Sequence, residues 1–235
     1  MIIKLVTILL PILYALILWR YSVWQLCREL DKRSAPLREP RLDAVIGQLA
    51  HTLALPAIPV HLYEEAQLNG LAAPDGRIFL TRGMLDAFRA GQLSAEEIAS
   101  VIAHELGHVA LGHTRQRMID FTGHSVMRLA FASVLGRILP GIGAHLAGFL
   151  SKLLAARLSR RDEYAADAWA TALLIKAGIG ASGQKSLLAK LEQQSAQRDG
   201  PAAWLMSHPG AGQRIAAIEA NERRWCPGEP GEPTV

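Results

Sequence analysis

Apolar residues dominate the start of the chain. From Leu5 to Trp19 there is no charge, and the apolar character reaches back to Ile2 and on to Leu26 if Lys4 and Arg20 snorkel to the two interfaces. Wound as a helix, Ile2 to Leu26 would reach about 37 Å, enough to cross the hydrocarbon layer with some tilt. No small-x-small cleavage site follows the run, and Trp19, Tyr21 and Trp24 cluster where an interfacial aromatic belt would sit. The pattern predicts an uncleaved transmembrane anchor over residues 1–27, followed by a charged juxtamembrane linker over 28–41 that contains two prolines.

Beyond the linker the period changes. Leu42 to Leu53 places apolar residues at helical spacing. Pro59-Val-His-Leu-Tyr63 and Arg77-Ile-Phe-Leu-Thr81 are short β-prone runs, separated by the turn signals Asn69-Gly70 and Pro74-Asp75-Gly76, and together they predict a small antiparallel sheet. Ser94-Ala-Glu-Glu97 is a capping box that should start a helix running to about Gly112. Residues 125–158 are apolar but broken by Arg128, Arg137, Lys152 and Arg157, and the longest uncharged run, Ile138 to Ser151, is too short to span a bilayer comfortably. This region reads as a helical hairpin packed on the domain or lying at the interface, with a re-entrant or spanning pair as the alternative. The remainder is helical up to a Gly- and Pro-rich tail, 227–235, expected to be disordered. The fold class is therefore α+β, mainly α, with one folded domain over 42–226.

Composition narrows the function. Half of the 235 residues are hydrophobic and a fifth are charged, which points to contact with membrane lipid or to a very helical core, and the N-terminal run supports the first. The net charge is +4, but Lys and Arg are spread along the chain without interleaved aromatics, which argues against nucleic acid as a partner. Cys27 and Cys226 are far apart and form no Cys-x-x-Cys pair. Basic residues follow the anchor in greater number than they precede it, so the positive-inside rule puts the domain over 42–226 in the cytoplasm.

The chemistry sits in the capped helix, at His104-Glu105-Leu106-Gly107-His108. Histidines four apart fall on one helical face where both rings can hold one ion, and Glu105 is placed to polarise a water beside it. A catalytic zinc needs a third protein ligand and an open position. The extended pattern that would supply a third histidine is broken by Leu111 and Thr114, and His113 is one residue off. Glu163 and Asp167, four apart on a later helix, fit better: one carboxylate can bind zinc while the other accepts the outward ring N–H of a liganding histidine. A solvated acidic pair balancing Arg160 and Arg161 is the alternative on spacing alone.

These pieces resemble the zinc metallopeptidases of the HtpX and CAAX-prenyl-protease type. The likeness rests on Asn69-Gly70-Leu71-Ala72, His104-Glu105-x-x-His108, Glu163-x-x-x-Asp167, and Ser207-His208-Pro209 followed by Arg214-Ile215, in that order. It implies a zincin-like domain holding one zinc ion per chain on His104, His108 and Glu163, with Glu105 as catalytic base and Asp167 supporting a ligand. It further implies His208 as a hydrogen-bond donor to the tetrahedral oxyanion and Arg214 as an organiser of the site. Asn69, Gly70, Leu71 and Ala72 would form an edge strand to which a polypeptide substrate adds. A His-Pro turn with a purely structural role is the plainer account of His208. HtpX-like chains usually carry four hydrophobic segments, two before the zinc helix, whereas one precedes it here. The implied activity is a membrane-anchored endopeptidase serving protein quality control. The rivals are a non-catalytic membrane-bound zinc scaffold and a periplasmic or lipid-attached protease.

Overall fold

The computed structural model describes residues 2–113, 143–197, 204–205, 208 and 210–225. Its chain divides into two compact units, 1–33 with 112–159 and 34–111 with 160–235. In the first unit the N-terminal apolar run forms one helix, α1 (Ile2–Lys32), whose side chains are described only from Leu13 onward, Ala15, Leu18 and Trp19 excepted. Among the described residues no helix is long and apolar enough to cross a membrane. Leu13, Tyr14, Leu16, Ile17, Tyr21 and Trp24 are each more than half exposed along it. The expected 125–158 hairpin falls outside the described residues up to 142; from there the backbone is helical, opening α5 (Gly143–Lys176). The tail 227–235 also lies outside them.

The second unit begins at Ser34. Ser34–Pro36, read as linker, forms an edge strand, β1, that pairs antiparallel with β2 (Val60–Tyr63). Its proline is tolerated because an edge strand leaves one side of its ladder unpaired. Helix α2 (Pro40–Thr52) follows, one or two residues from the predicted bounds, with Pro40 in its first turn.

The sheet is mixed, which corrects the antiparallel expectation. Its order is β1-β2-β4-β3, with β3 at Gly70–Ala72 and β4 at Ile78–Thr81. The turn over 73–77, with Gly76 at φ +88°, closes an antiparallel hairpin between β3 and β4. The two β-prone runs, β2 and β4, then meet side by side in parallel, Val60 opposite Ile78 and Tyr63 opposite Thr81. β4 is buried at every position, as a central strand covered on both faces must be. That burial removes the period-two signal from which pairing direction would be read. β3 is left at the edge.

Helix α3 (Arg82–Arg89) leaves β4 directly. Helix α4 (Ala95–Ala110) carries the predicted capping box, with the Ser94 hydroxyl accepting from the Glu97 amide and the Glu97 carboxylate accepting from the Ser94 amide. Every residue from Glu97 to His108 is buried, so α4 is the central helix of the unit. The sheet, α2 and α6 (Ser182–Gln197) surround it, and α7 (Ala211–Trp225) packs on α6. Buried polar side chains on such a helix must find partners inside the protein.

Candidate metal centre

Gly107 decides how closely the two motif-bearing helices approach. A Cβ there would stand 2.9 Å from the Ala166 carbonyl oxygen and 3.2 Å from its Cα, so the backbone of α5 passes α4 at a distance only glycine allows. That contact carries Glu163 and Asp167, each within four residues of Ala166, to the histidines of α4.

His104 Nδ1 lies 2.9 Å from Asp167 Oδ1. A carboxylate oxygen only accepts, so Nδ1 carries the proton and Nε2 turns inward. There it sits 3.1 Å from His108 Nε2 and 3.3 Å from Glu163 Oε2, while His108 Nε2 is 3.4 Å from Glu163 Oε1. Bonds of about 2.0–2.1 Å in a tetrahedron put neighbouring ligand atoms about 3.3 Å apart, which is the spacing of the two Nε2 atoms from each other and of each from one oxygen of the Glu163 carboxylate, Oε2 for His104 and Oε1 for His108. The donors are two imidazoles and a carboxylate, the set that suits such an ion. All three residues are at least 98% buried. The residues present therefore fit a divalent metal, and the solvated-pair account of Glu163 and Asp167 is set aside.

His208 joins the same cluster. Its Nδ1 is 2.8 Å from Glu163 Oε2 and 3.3 Å from His104 Nε2, and the polar atoms of His104, His108, Glu163 and His208 lie within 4.8 Å of one another. Its other nitrogen, Nε2, is 3.4 Å from Glu105 Oε1. That approach is too poorly aligned to be a hydrogen bond, and Glu105 Oε1 is buried without one. Ser207 and Pro209 lie outside the described residues. His113 is buried but is not among the converging groups.

Arg214, from the first turn of α7, grips Asp167 with both sides of its guanidinium, Nε to Oδ2 at 2.6 Å and Nη2 to Oδ1 at 2.7 Å. Its Nη1 donates to the His208 carbonyl at 3.0 Å, so one cation fixes both the partner of His104 and the backbone of His208. It is 99% buried, and its Cζ lies 4.8 Å from the centre of the Trp204 ring. Sequence reading missed Trp204, although it stands four residues before His208 and its carbonyl accepts from the His208 amide at 2.9 Å. It also missed Gln184, whose Nε2 approaches Asp167 Oδ1 at 3.3 Å while its Oε1 accepts from Thr171. Gln184 comes from another helix, and no local spacing connects it to Asp167.

The electrostatics follow from this packing. Burial pushes the His104 imidazolium down, but the Asp167 and Glu163 carboxylates outweigh it and raise the group to about 9. Burial wins at His108, which falls to about 4 despite Glu163. Burial works against ionisation of Asp167 and Glu163, yet Arg214 and His104 hold Asp167 down at about 2, and the three imidazoles hold Glu163 far below the ordinary carboxylate range.

The edge strand reaches this centre. A Cβ on Gly70 would fall 2.5 Å from Val101 Cγ1 and 3.8 Å from Glu105 Cγ, so β3 crosses α4 at the turn that carries Glu105. Leu71 and Ala72 continue it, and Asn69 extends the ladder through hydrogen bonds with Thr81.

Residues 36–222 match the model of peptidase family M48. The chain is 29% identical over 204 residues to the metalloprotease LoiP of Escherichia coli, covering 83% of this chain and 76% of that one. It is 26% identical over 227 residues to the protease HtpX of Pseudomonas aeruginosa, covering 79% and 74%. A putative beta-barrel assembly-enhancing protease of Vibrio cholerae is 27% identical over 214 residues, 85% of this chain but 43% of that longer protein. With four-fifths of its length inside the family model, the chain belongs to peptidase family M48, among the HtpX-type metalloproteases.

Proposed function

We propose that this protein is a membrane-anchored zinc endopeptidase that hydrolyses polypeptides, with His104, His108 and Glu163 holding one zinc ion and Glu105 serving as general base. The observation that supports it most is the convergence of the His104 and His108 Nε2 atoms, 3.1 Å apart, on the Glu163 carboxylate, whose Oε2 lies 3.3 Å from the first and whose Oε1 lies 3.4 Å from the second, next to a buried Glu105 oxygen that makes no hydrogen bond. When bound, the zinc ion supplies Lewis acidity, making a water nucleophilic near neutral pH and polarising the scissile carbonyl. Glu105 takes the proton of the attacking water and passes it to the leaving amine. Asp167 fixes the ring of His104, and Arg214 fixes Asp167. His208, whose Nε2 faces Glu105, donates to the oxyanion as it forms. The substrate backbone adds to the open edge of β3, beside Glu105.

The second reading is a structural metal site, with His208 Nδ1 as the fourth ligand. Its place within the donor group favours that reading. Glu105 argues against it, since a structural site has no use for a buried carboxylate oxygen left without a donor. Full-length wild-type protein and Glu105→Gln should each contain one zinc by elemental analysis, and only the wild type should cleave casein. Cleavage by the variant would overturn the assignment.

The uncharged run of α1 is the proposed anchor and membrane lipid its partner, with the excess of basic residues after it placing the catalytic domain in the cytoplasm. Protease protection of the C-terminus in inverted vesicles tests that orientation. Quality control of membrane proteins is the role the HtpX likeness supports, and proteomics of membranes carrying wild-type or Glu105→Gln protein would find the substrates.

A further inference from the structure

A cavity of about 120 Å³ opens at the N-terminal end of β3, between α3 and α6. Its floor is apolar and buried, built by Met84, Leu93, Leu187 and Leu191, with Leu68 and Ala87 in its walls beside the uncharged Gln92 and Gln194. Lys190 stands at its rim, but its ammonium is held by the Glu97 carboxylate at 2.8 Å and the Gln92 carbonyl at 2.9 Å, so the charge is already neutralised there. The space is large enough for an apolar side chain and offers no free charge to a polar one.

Two observations join this cavity to the metal centre. Leu187 lines it and also lines the small cavity beside His104, Asp167 and Arg214, so α6 forms a continuous wall from one to the other. Leu68, in the loop before β3, lines the cavity and precedes Gly70 by two residues, with Asn69 between them bonded to Thr81, so the cavity lies at the N-terminal end of the strand whose Gly70 faces Glu105. Two residues of strand cover about 7 Å. An antiparallel guest strand on β3 runs opposite to it, so the part of the guest beside Leu68 lies C-terminal to the part beside Glu105.

We propose that this cavity is a specificity subsite for a large apolar side chain of an extended substrate, two to three residues C-terminal to the scissile bond. The inference rests on the peptidase reading for the meaning of that bond, but the selectivity belongs to the pocket and survives without catalysis. The favoured substrates are unfolded segments carrying Leu, Met or Phe at that position, residues that a folded protein keeps buried.

The test is equilibrium binding to full-length, zinc-loaded Glu105→Gln, by anisotropy of labelled decapeptides that differ only by Leu or Ser at the second and third positions after a cleavage site mapped in casein with the wild type. The Leu peptides should bind about tenfold tighter, the discrimination one filled apolar pocket supplies. Ala87→Met, which fills the cavity, should remove the difference. Leu68→Asp, on a half-buried loop position, gives the same loss if the first variant does not fold. Equal binding of Leu and Ser peptides, or a preference untouched in both folded variants, would overturn the subsite. Should the wild type cut nothing, peptides tiled across casein replace the mapped set. Leu-selective binding that both variants abolish then upholds the subsite while the peptidase reading falls.

Discussion

Glu97 and Glu105 stand about two turns apart on α4, and each is 2% exposed, yet their surroundings are opposite. Glu97 is saturated: it accepts from the Ser94 amide at 2.9 Å, the Ser186 hydroxyl at 2.6 Å and the Lys190 ammonium at 2.8 Å. These bonds tie the first turn of α4 to α6. Glu105 has an oxygen with no hydrogen bond and a histidine nitrogen 3.4 Å away in poor alignment. A buried carboxylate left this way costs stability. The same helix thus carries one glutamate saturated by the fold and one with a buried oxygen left unbonded, the residue proposed as the general base.

The sharpest way to break that contrast is Glu105→Gln, which should lower kcat on casein by about a thousandfold, the scale of a general base. Its thermal unfolding should occur at the wild-type temperature or above, because the substitution removes a buried charge without removing a partner. A lowered melting temperature would show that Glu105 also holds the fold together and would end the distinction.

Next in size is Asp167→Asn. The amide can still meet Arg214 poorly and His104 not at all as a charged acceptor, so the His104 ring loses the partner that turns Nε2 inward. Zinc affinity should fall about 10- to 100-fold, measured by competition with a chromophoric chelator. Unchanged affinity would mean that Asp167 serves packing alone.

Glu97→Ala leaves the Ser94 amide, Ser186 and Lys190 without their common acceptor. The loss should be about 2 kcal/mol by urea unfolding, with zinc affinity and kcat per folded molecule unchanged. A fall in zinc affinity comparable to that of Asp167→Asn would show that the first turn and the middle of α4 are coupled.

The capped helix and its His104-Glu105-x-x-His108 pattern were legible because both are local: the capping box fixes where the helix starts, and the helical period fixes which side chains share a face. For Glu163 and Asp167 the spacing rule gave only a shared helical face, which a solvated acidic pair would also satisfy, and the family resemblance favoured the metal reading. What joins them was harder to read. Gly107 looks like any glycine in a helix until Ala166 is seen against it. The parallel pairing of β2 with β4 depends on a register between strands of four residues: β4 is buried at every position and shows no period, and the alternation of β2 covers too few residues to fix a partner or a direction. Ser34–Pro36 becomes a strand only because β2 offers it an edge. Gln184 and Trp204 reach the site through α6 and the segment before α7, contacts that exist only once the helices have packed.

Acidity acts on the middle of α4 without any substitution. Asp167 and Glu163 raise His104 to about 9, so near neutral pH its ring carries a second proton, on the nitrogen that a metal would use. Zinc binding must displace that proton. Affinity should therefore rise with pH, by up to about tenfold per unit, and level off above about 9. Calorimetry in buffers of different ionisation enthalpy should count about one proton released per zinc at pH 7. The protein stripped with a chelator should show the opposite trend: the raised group stabilises the fold fully below its ordinary value of 6.5, and that contribution disappears as the pH climbs through 9. A zinc affinity that does not change between pH 7 and 9 would mean that His104 is already neutral, and that the carboxylates around it orient the ring without charging it.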